Sequence, residues 1–327
     1  MAHLPEKATH VPLSQIAIPG THNSGSYGIQ ESSPLSLDMN YKSLIKVLGL
    51  FFKIPYFKWS VTQKTNFTTQ LQSGIRYFDM RVAIKRQSCV GLLSNSSIDI
   101  YPCFFLVHGQ YANRVSEELE TIKSFLKHHP KEVAIIDFQH FYGLDESLKS
   151  IFKDLIKKVL GEMVEPYGSQ IPSLAEMWSL KKQVIILGYA KSFDELEDDI
   201  SVQWPSDWMQ KSRPVYFFVF QGILSPNLDY ILFNFTSGLE KLARLANTVV
   251  GKWLDGLKHL RGIVITDFSV LGFPGFARKE RLGSQPTAHR AEEFWSVTLV
   301  NGVGPKCRTI CASAVGPQFS AVSDFAA

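Results

Sequence analysis

Seven short apolar runs, most of them rich in β-branched residues, punctuate this 327-residue chain, with amphipathic stretches between several of them. The runs are Ile16–Ile18, Ile75–Ile84, Cys103–Val107, Val133–His140, Gln183–Tyr189, Val215–Phe220 and Ile263–Phe268. A run as continuous as Val184-Ile185-Ile186-Leu187 leaves no polar face, so it fits a strand covered on both sides, as in a parallel sheet. Helical spacing of apolar residues marks Ser116–His128, Ser147–Leu160 and Leu239–Leu260. Strand and helix in alternation predict an α/β fold, most simply a closed or nearly closed (β/α) barrel. An open doubly wound sheet is the alternative.

The runs end in chemistry. Ile16-Ala17-Ile18-Pro19-Gly20-Thr21 delivers His22 and Asn23, and Phe104-Phe105-Leu106-Val107 delivers His108. Imidazole titrates near neutrality, so two histidines at strand ends suit a general base and a general acid. In Gly74-Ile75-Arg76-Tyr77-Phe78-Asp79-Met80-Arg81-Val82 the side chains alternate. Tyr77, Asp79 and Arg81 share one face, and Phe78, Met80 and Val82 pack under the helices on the other. A buried ion pair is the plainer explanation of Asp79 and Arg81. Asp137, Gln139 and His140 close the next strand, and Asp267 follows Ile263-Val264-Ile265-Thr266. Polar endings on five runs are what a site on the C-terminal face of a barrel requires.

A net charge of +4 is too weak to indicate nucleic acid, and no basic run is interleaved with aromatics. No glycine-rich phosphate loop is present. Cys89, Cys103, Cys307 and Cys311 are too few and too irregular for a disulfide scaffold, and Cys307 and Cys311 lack the second ligand pair of a zinc site. No stretch serves as a signal peptide or a membrane span, which predicts a cytoplasmic protein, with a nuclear or peripheral-membrane location as variants. On that reading the sequons at Asn66, Asn95 and Asn234 are incidental. The apolar segment Leu44–Phe57, with Lys46, Lys53 and nearby Lys58, reads as a helix covering the barrel bottom or as an element dipping into a membrane interface. From Phe273 the composition turns to Gly, Pro, Ser and Ala, which predicts a mostly disordered tail over 273–327.

Pro-Gly-Thr-His-Asn-Ser, Gly-Ile-Arg-Tyr-Phe-Asp-Met-Arg and Val-His-Gly, in this order, resemble the X domain of phosphatidylinositol-specific phospholipases C. Trp59-Ser60-Val61-Thr62-Gln63, Glu132-Val133, Phe138–Gly143 and Trp204-Pro205 resemble its small stand-alone group, over about residues 8–272. The resemblance implies a distorted (β/α)8 TIM barrel and cleavage of phosphatidylinositol to diacylglycerol and a cyclic inositol phosphate at a membrane surface. It makes His22 the base that activates the inositol 2-hydroxyl and His108 the acid that protonates the leaving diacylglycerol. Asp267 then orients His22, and Arg81, where bacterial members keep an arginine, neutralises the phosphate. Asp79 completes the catalytic set, with Asn23, Tyr77, Gln139 and Tyr189 at the substrate.

The same resemblance bears on calcium. Asn23 and Asp79 match ligand positions of the calcium-dependent enzymes, but Arg81 and Gln139 stand where carboxylates are needed. No cofactor is therefore expected, a weak calcium site on Asn23, Asp79 and Gln139 being the alternative. Three departures stand out. Gly188 replaces an arginine that helps hold inositol, the passage from Trp204-Pro205 to Arg213-Pro214 is short, and the likeness ends at Leu271-Gly272, before a final covering helix. An inositol-lipid-binding module with crippled catalysis is thus the second expectation, and cleavage of another phosphodiester the third. Oligomeric state is not readable.

Overall fold

The computed structural model describes residues 1–38, 53–89, 101–166, 170–188, 204–205, 217, 219–226, 228–234, 236–257 and 260–272. The strands are β1 (Ala17–Thr21), β2 (Tyr77–Ile84), β3 (Phe104–His108), β4 (Gln110–Arg114), β5 (Ala134–Tyr142), β6 (Val184–Gly188), β7 (Trp204–Pro205), β8 (Val219–Gln221) and β9 (Gly262–Thr266). Nine helices flank them: α1 (Glu6–Thr9), α2 (Lys53–Ser60), α3 (Phe67–Gln72), α4 (Val115–His128), α5 (Glu146–Leu160), α6 (Leu174–Ser179), α7 (Leu228–Phe233), α8 (Leu239–Gly256) and α9 (Ser269–Gly272). These counts are of the described residues.

The sheet runs β7-β6-β5-β2-β1-β9-β8, with every neighbouring pair parallel. Read as a circle, that is chain order with β9 returning beside β1, the sequence of strands in a (β/α) barrel. Among the described residues β7 and β8 do not pair, so the barrel is distorted and open there.

Burial divides as the alternation in β2 requires. Phe78, Met80 and Val82 join Leu119, Ile122, Phe152 and Ile156 in the layer between sheet and helices. Tyr77 joins Ile18, Ile135, Ile185, Leu187, Ile263 and Ile265 inside the barrel. Fully burying one such aliphatic side chain contributes about 1.5–3 kcal/mol, so the two layers together fix which face of each strand looks inward. Below the interior, Arg76 Nε donates to Glu132 at 2.8 Å and closes the end away from the strand termini. Helix starts are marked by side chains: Asn66 caps α3 by accepting from Thr69 N at 2.9 Å, and Asp145 caps α5 by accepting from Leu148 N at 2.9 Å. The Asn66 sequon is thus a helix cap.

Two expectations need correction. The run that delivers His108 is not a barrel strand. β3 is antiparallel to β2, with Val82 opposite Leu106 and Ile84 opposite Phe104, and β4 pairs back on it in turn. The cause is the length of β2, whose last residues rise past the barrel and offer a free edge; β3 returns along it and brings His108 back down to the mouth. Second, the described end of the Leu44–Phe57 segment does not cover the barrel bottom. Its residues 53–57 open α2, and Ser60, which ends α2, touches His108. The rest of that segment lies outside the described residues, as do the 273–327 tail, Tyr189, and Cys307 and Cys311. Cys103 is fully buried at the foot of β3 and disulfide-bonded. No helix among the described residues is long and apolar enough to cross a membrane.

Candidate functional site

The site lies where β1, β2, β5 and β9 end and where β3 returns. At the end of β1, Asn23 adopts a φ of 42°, a left-handed conformation that asparagine tolerates better than most residues. This sharp turn is held on both sides. Asn23 N donates to Asp79 Oδ2 at 3.1 Å, and Ser24 N donates to Asp79 O at 2.8 Å. Thr62 Oγ1 donates to His22 O at 3.1 Å, while Gln63 Nε2 spans His22 O at 3.1 Å and Thr266 O at 2.9 Å. Thr62 and Gln63 therefore act as a bracket tying the end of β1 to the end of β9.

That bracket aims His22. Its Nδ1–H donates to Asp267 Oδ1 at 2.7 Å, and both side chains are nearly buried, 14% and 6% exposed. An ionised carboxylate on Nδ1 fixes the tautomer, leaving the lone pair on Nε2. Asn23 Nδ2 donates to Nε2 at 2.9 Å, and Asp79 Oδ2 is 3.8 Å from it. Asp267 is held in turn by α8, where the buried Asn247 Nδ2 donates to Asp267 O at 2.9 Å. Opposite, the His108 ring stands edge-on to His22 with centroids 6.1 Å apart. Its Nδ1–H donates to Ser60 O at 2.7 Å, so Nε2 is the nitrogen free to exchange a proton. Burial, the nearby Arg81 guanidinium and His22 push the His108 imidazolium down to about 4.

Below the histidines lies a carboxylate floor. Asp79 on β2 and Asp137 on β5 are register partners in the parallel pair, so their side chains leave the sheet on the same side. Asp137 Oδ2 accepts from Tyr77 Oη at 2.6 Å and from Gln139 Nε2. Burial, reinforced by Asp79, pushes the Asp137 carboxyl up to about 7 despite those two bonds. Burial, with Asp137 and Asp79, drives the Tyr77 hydroxyl well above its usual range. One residue further on, the register of β2 against β5 shifts at Met80/Arg81, which sets Arg81 beside His140 and leaves Gln139 as the extra residue.

Of the residues singled out in the sequence, His22, Asn23, Asp79, Arg81, His108 and Asp267 come together. Tyr77 does not meet the cavity directly, because its ring fills the barrel interior and its hydroxyl is spent on Asp137. Gln139 is likewise turned toward Asp137. Thr62, Gln63 and Asn247 were not named as site residues by sequence reasoning, and Asp137 was named only as a polar strand ending. Asp137 had a visible signal, a carboxylate inside an otherwise apolar run, whereas Asn247 is one amide among many on an amphipathic helix. Four buried polar atoms here have no protein partner: Asn23 Oδ1, Asp79 Oδ1, Asp137 Oδ1 and Arg81 Nε. Among the described residues no group of three or more His, Cys, Asp or Glu side chains is arranged to hold a metal ion.

No family sequence model matches the chain. Human PI-PLC X domain-containing protein 3 is 29% identical over 301 residues, covering 83% of this chain and 89% of its own. Human PI-PLC X domain-containing protein 1 is 30% identical over 269 residues, covering 74% of this chain and 77% of its own. Among solved structures, a phosphatidylinositol-specific phospholipase C from Staphylococcus aureus superposes with a TM-score of 0.55 at 16% identity, covering 86% of this chain and 96% of that one. The Listeria monocytogenes phosphatidylinositol-specific phospholipase C gives 0.53 at 19% identity, covering 87% and 97%. The barrel is thus the fold of these bacterial proteins, and the chain belongs to the family of PI-PLC X domain-containing proteins.

Proposed function

We propose that this chain is a phosphodiesterase of the phospholipase C type, acting on phosphatidylinositol by two-histidine general acid–base catalysis. The observation that carries the reading is the facing pair His22 and His108, 6.1 Å apart, one of them oriented by a buried aspartate. At that separation a single phosphoryl group can touch both imidazoles.

His22 Nε2 removes the proton from the inositol 2-hydroxyl as that oxygen attacks the adjacent phosphorus. The phosphorus–oxygen bond to diacylglycerol breaks, and His108 donates a proton from Nε2 to the departing oxygen. The product is a cyclic inositol phosphate. Asp267 stabilises the imidazolium that forms on His22, as the carboxylate of a catalytic triad does. Arg81, whose Nε is buried without a protein partner, neutralises the phosphate. Burial first and then the Arg81 guanidinium hold His108 neutral; the negative phosphodiester offsets the guanidinium and so favours the proton on the acid when substrate is present. The unpartnered Asn23 and Asp79 oxygens are two acceptors suited to the hydroxyl donors of a sugar-like ring.

The reading needs no metal. Asn23 Oδ1 and Asp79 Oδ1 would suit calcium, but Arg81 stands where a further carboxylate would be needed and its charge repels a divalent cation. Gln139 is committed to Asp137. The membrane is met peripherally.

Phosphorus NMR of phosphatidylinositol vesicles incubated with the full chain, in EGTA and then in calcium, tests this, with His22→Ala as control. The expected result is a cyclic inositol phosphate signal in EGTA that the variant lacks. Vesicle binding with no such signal in either buffer would overturn catalysis in favour of a lipid-binding module. A signal only in calcium would overturn metal independence.

A further inference from the structure

The segment 30–38, between β1 and α2, lies as a strap across the turn that carries His108. Ser36 N donates to Gly109 O at 3.0 Å, Tyr111 N donates to Pro34 O at 3.1 Å, and Gln110 Nε2 donates to Ser33 O at 2.7 Å. At its end the half-buried Asp38 places Oδ2 2.8 Å from the Gly109 amide, which donates to it. Ser36 Oγ donates to the other oxygen. Gly109 has a φ of 73°, and a side chain there would run into the Tyr56 hydroxyl, with Ser60 Oγ at 3.1 Å. The β3–β4 turn is thus gripped by α2 on one side and by the strap on the other.

Resting on the catalytic reading above, we propose that Asp38 is a positioning residue for His108: its carboxylate locks the His108–Gly109 turn through the Gly109 amide and supplies the negative charge that steadies the proton His108 must donate. The charges facing His108 otherwise oppose that proton. Among the described residues His22 faces it from the end of β1 and Arg81 from β2, and the Ser60 carbonyl at the end of α2 accepts from its Nδ1–H. Asp38 is the acidic side chain acting in the other direction. Among the described residues the Tyr56, Tyr111 and Tyr142 hydroxyls also face Asp38, and burial together with this carboxylate keeps them protonated, so they add no charge of their own.

Asp38→Asn keeps an oxygen for the Gly109 amide but removes the charge; Asp38→Ala removes both. The His108 titration, followed by NMR in the full chain labelled at histidine, should fall by roughly half a unit in Asp38→Asn, about threefold less of the protonated form at a given pH. Turnover of phosphatidylinositol vesicles should drop about threefold near neutrality, with the optimum displaced toward acid. Asp38→Ala should lose more, and Asp38→Glu should restore part of the titration. A His108 titration unmoved in both Asp38→Asn and Asp38→Ala would overturn the proposal, whatever happens to turnover. Absence of turnover in the unaltered chain would instead overturn the catalytic reading, and the NMR shift would still decide the role of Asp38.

Discussion

Asp79 and Asp137 stand side by side on neighbouring parallel strands, two buried carboxylates in one register position beneath the histidines. Both cannot comfortably be ionised in so dry a place, and the structure resolves the conflict by lifting Asp137. In the unfolded chain Asp137 would titrate near about 3.9. Between that value and about 7 the folded chain holds a proton that the unfolded chain has released. The stabilisation is therefore complete below the lower value and is lost as pH rises through the upper one. Asp137→Asn, which keeps an oxygen for Tyr77, should gain on the unaltered chain by about 1–3 kcal/mol between pH 5 and pH 8, read from urea unfolding at both. Equal pH dependence in the two chains would contradict the assignment.

Removing either imidazole should cost the chemistry and spare the fold. His22→Ala and His108→Ala are each expected to lower turnover about 10²–10⁴-fold, with an unchanged circular dichroism spectrum. Retained turnover in both would refute the two-histidine reading.

Asp267→Asn tests orientation separately from basicity. An amide at this place can accept or donate and no longer dictates which nitrogen of His22 is protonated, so turnover should fall by about 10³–10⁴ while vesicle binding stays within a factor of a few. Loss of both together would mean that Asp267 supports the fold rather than the base.

Gly109→Ala tests the tight turn. A left-handed backbone with a colliding methyl group should destabilise the chain by about 1–3 kcal/mol, visible as a lowered thermal midpoint. Turnover should fall further than stability alone explains, because the residue adjoins His108.

Much of the architecture was legible because it rests on periodicity. The runs around Ile185 and Ile263 could only be buried strands, and the alternation in Tyr77–Val82 stated correctly which residues face the helices. The ends of β1 and β9 were legible for the same reason, since a polar group that stops an apolar strand has few places to go. His108 was found without its geometry. Nothing in Phe104–Val107 distinguishes a barrel strand from an antiparallel return, because the direction of pairing depends on how far β2 extends, a property of another part of the chain. Tyr77 shows the converse failure. Its face was right, but whether a tyrosine at that depth meets ligand or protein depends on Asp137, which approaches from β5. Asp38 was invisible, as an acidic residue in a polar loop carries no pattern until the loop is laid across its target.

The antiparallel return of β3 puts the two facing histidines on two different pieces of chain. His22 is wired into the barrel through Asp267, Thr62 and Gln63. His108 sits at the tip of a hairpin outside the ring, clasped by the strap and by α2, while Phe104 and Leu106 of the same hairpin are buried in the main core. On the proposed reading the barrel sets the base and the hairpin sets the acid, so a change in how the hairpin tip is held would alter the acid without touching the base.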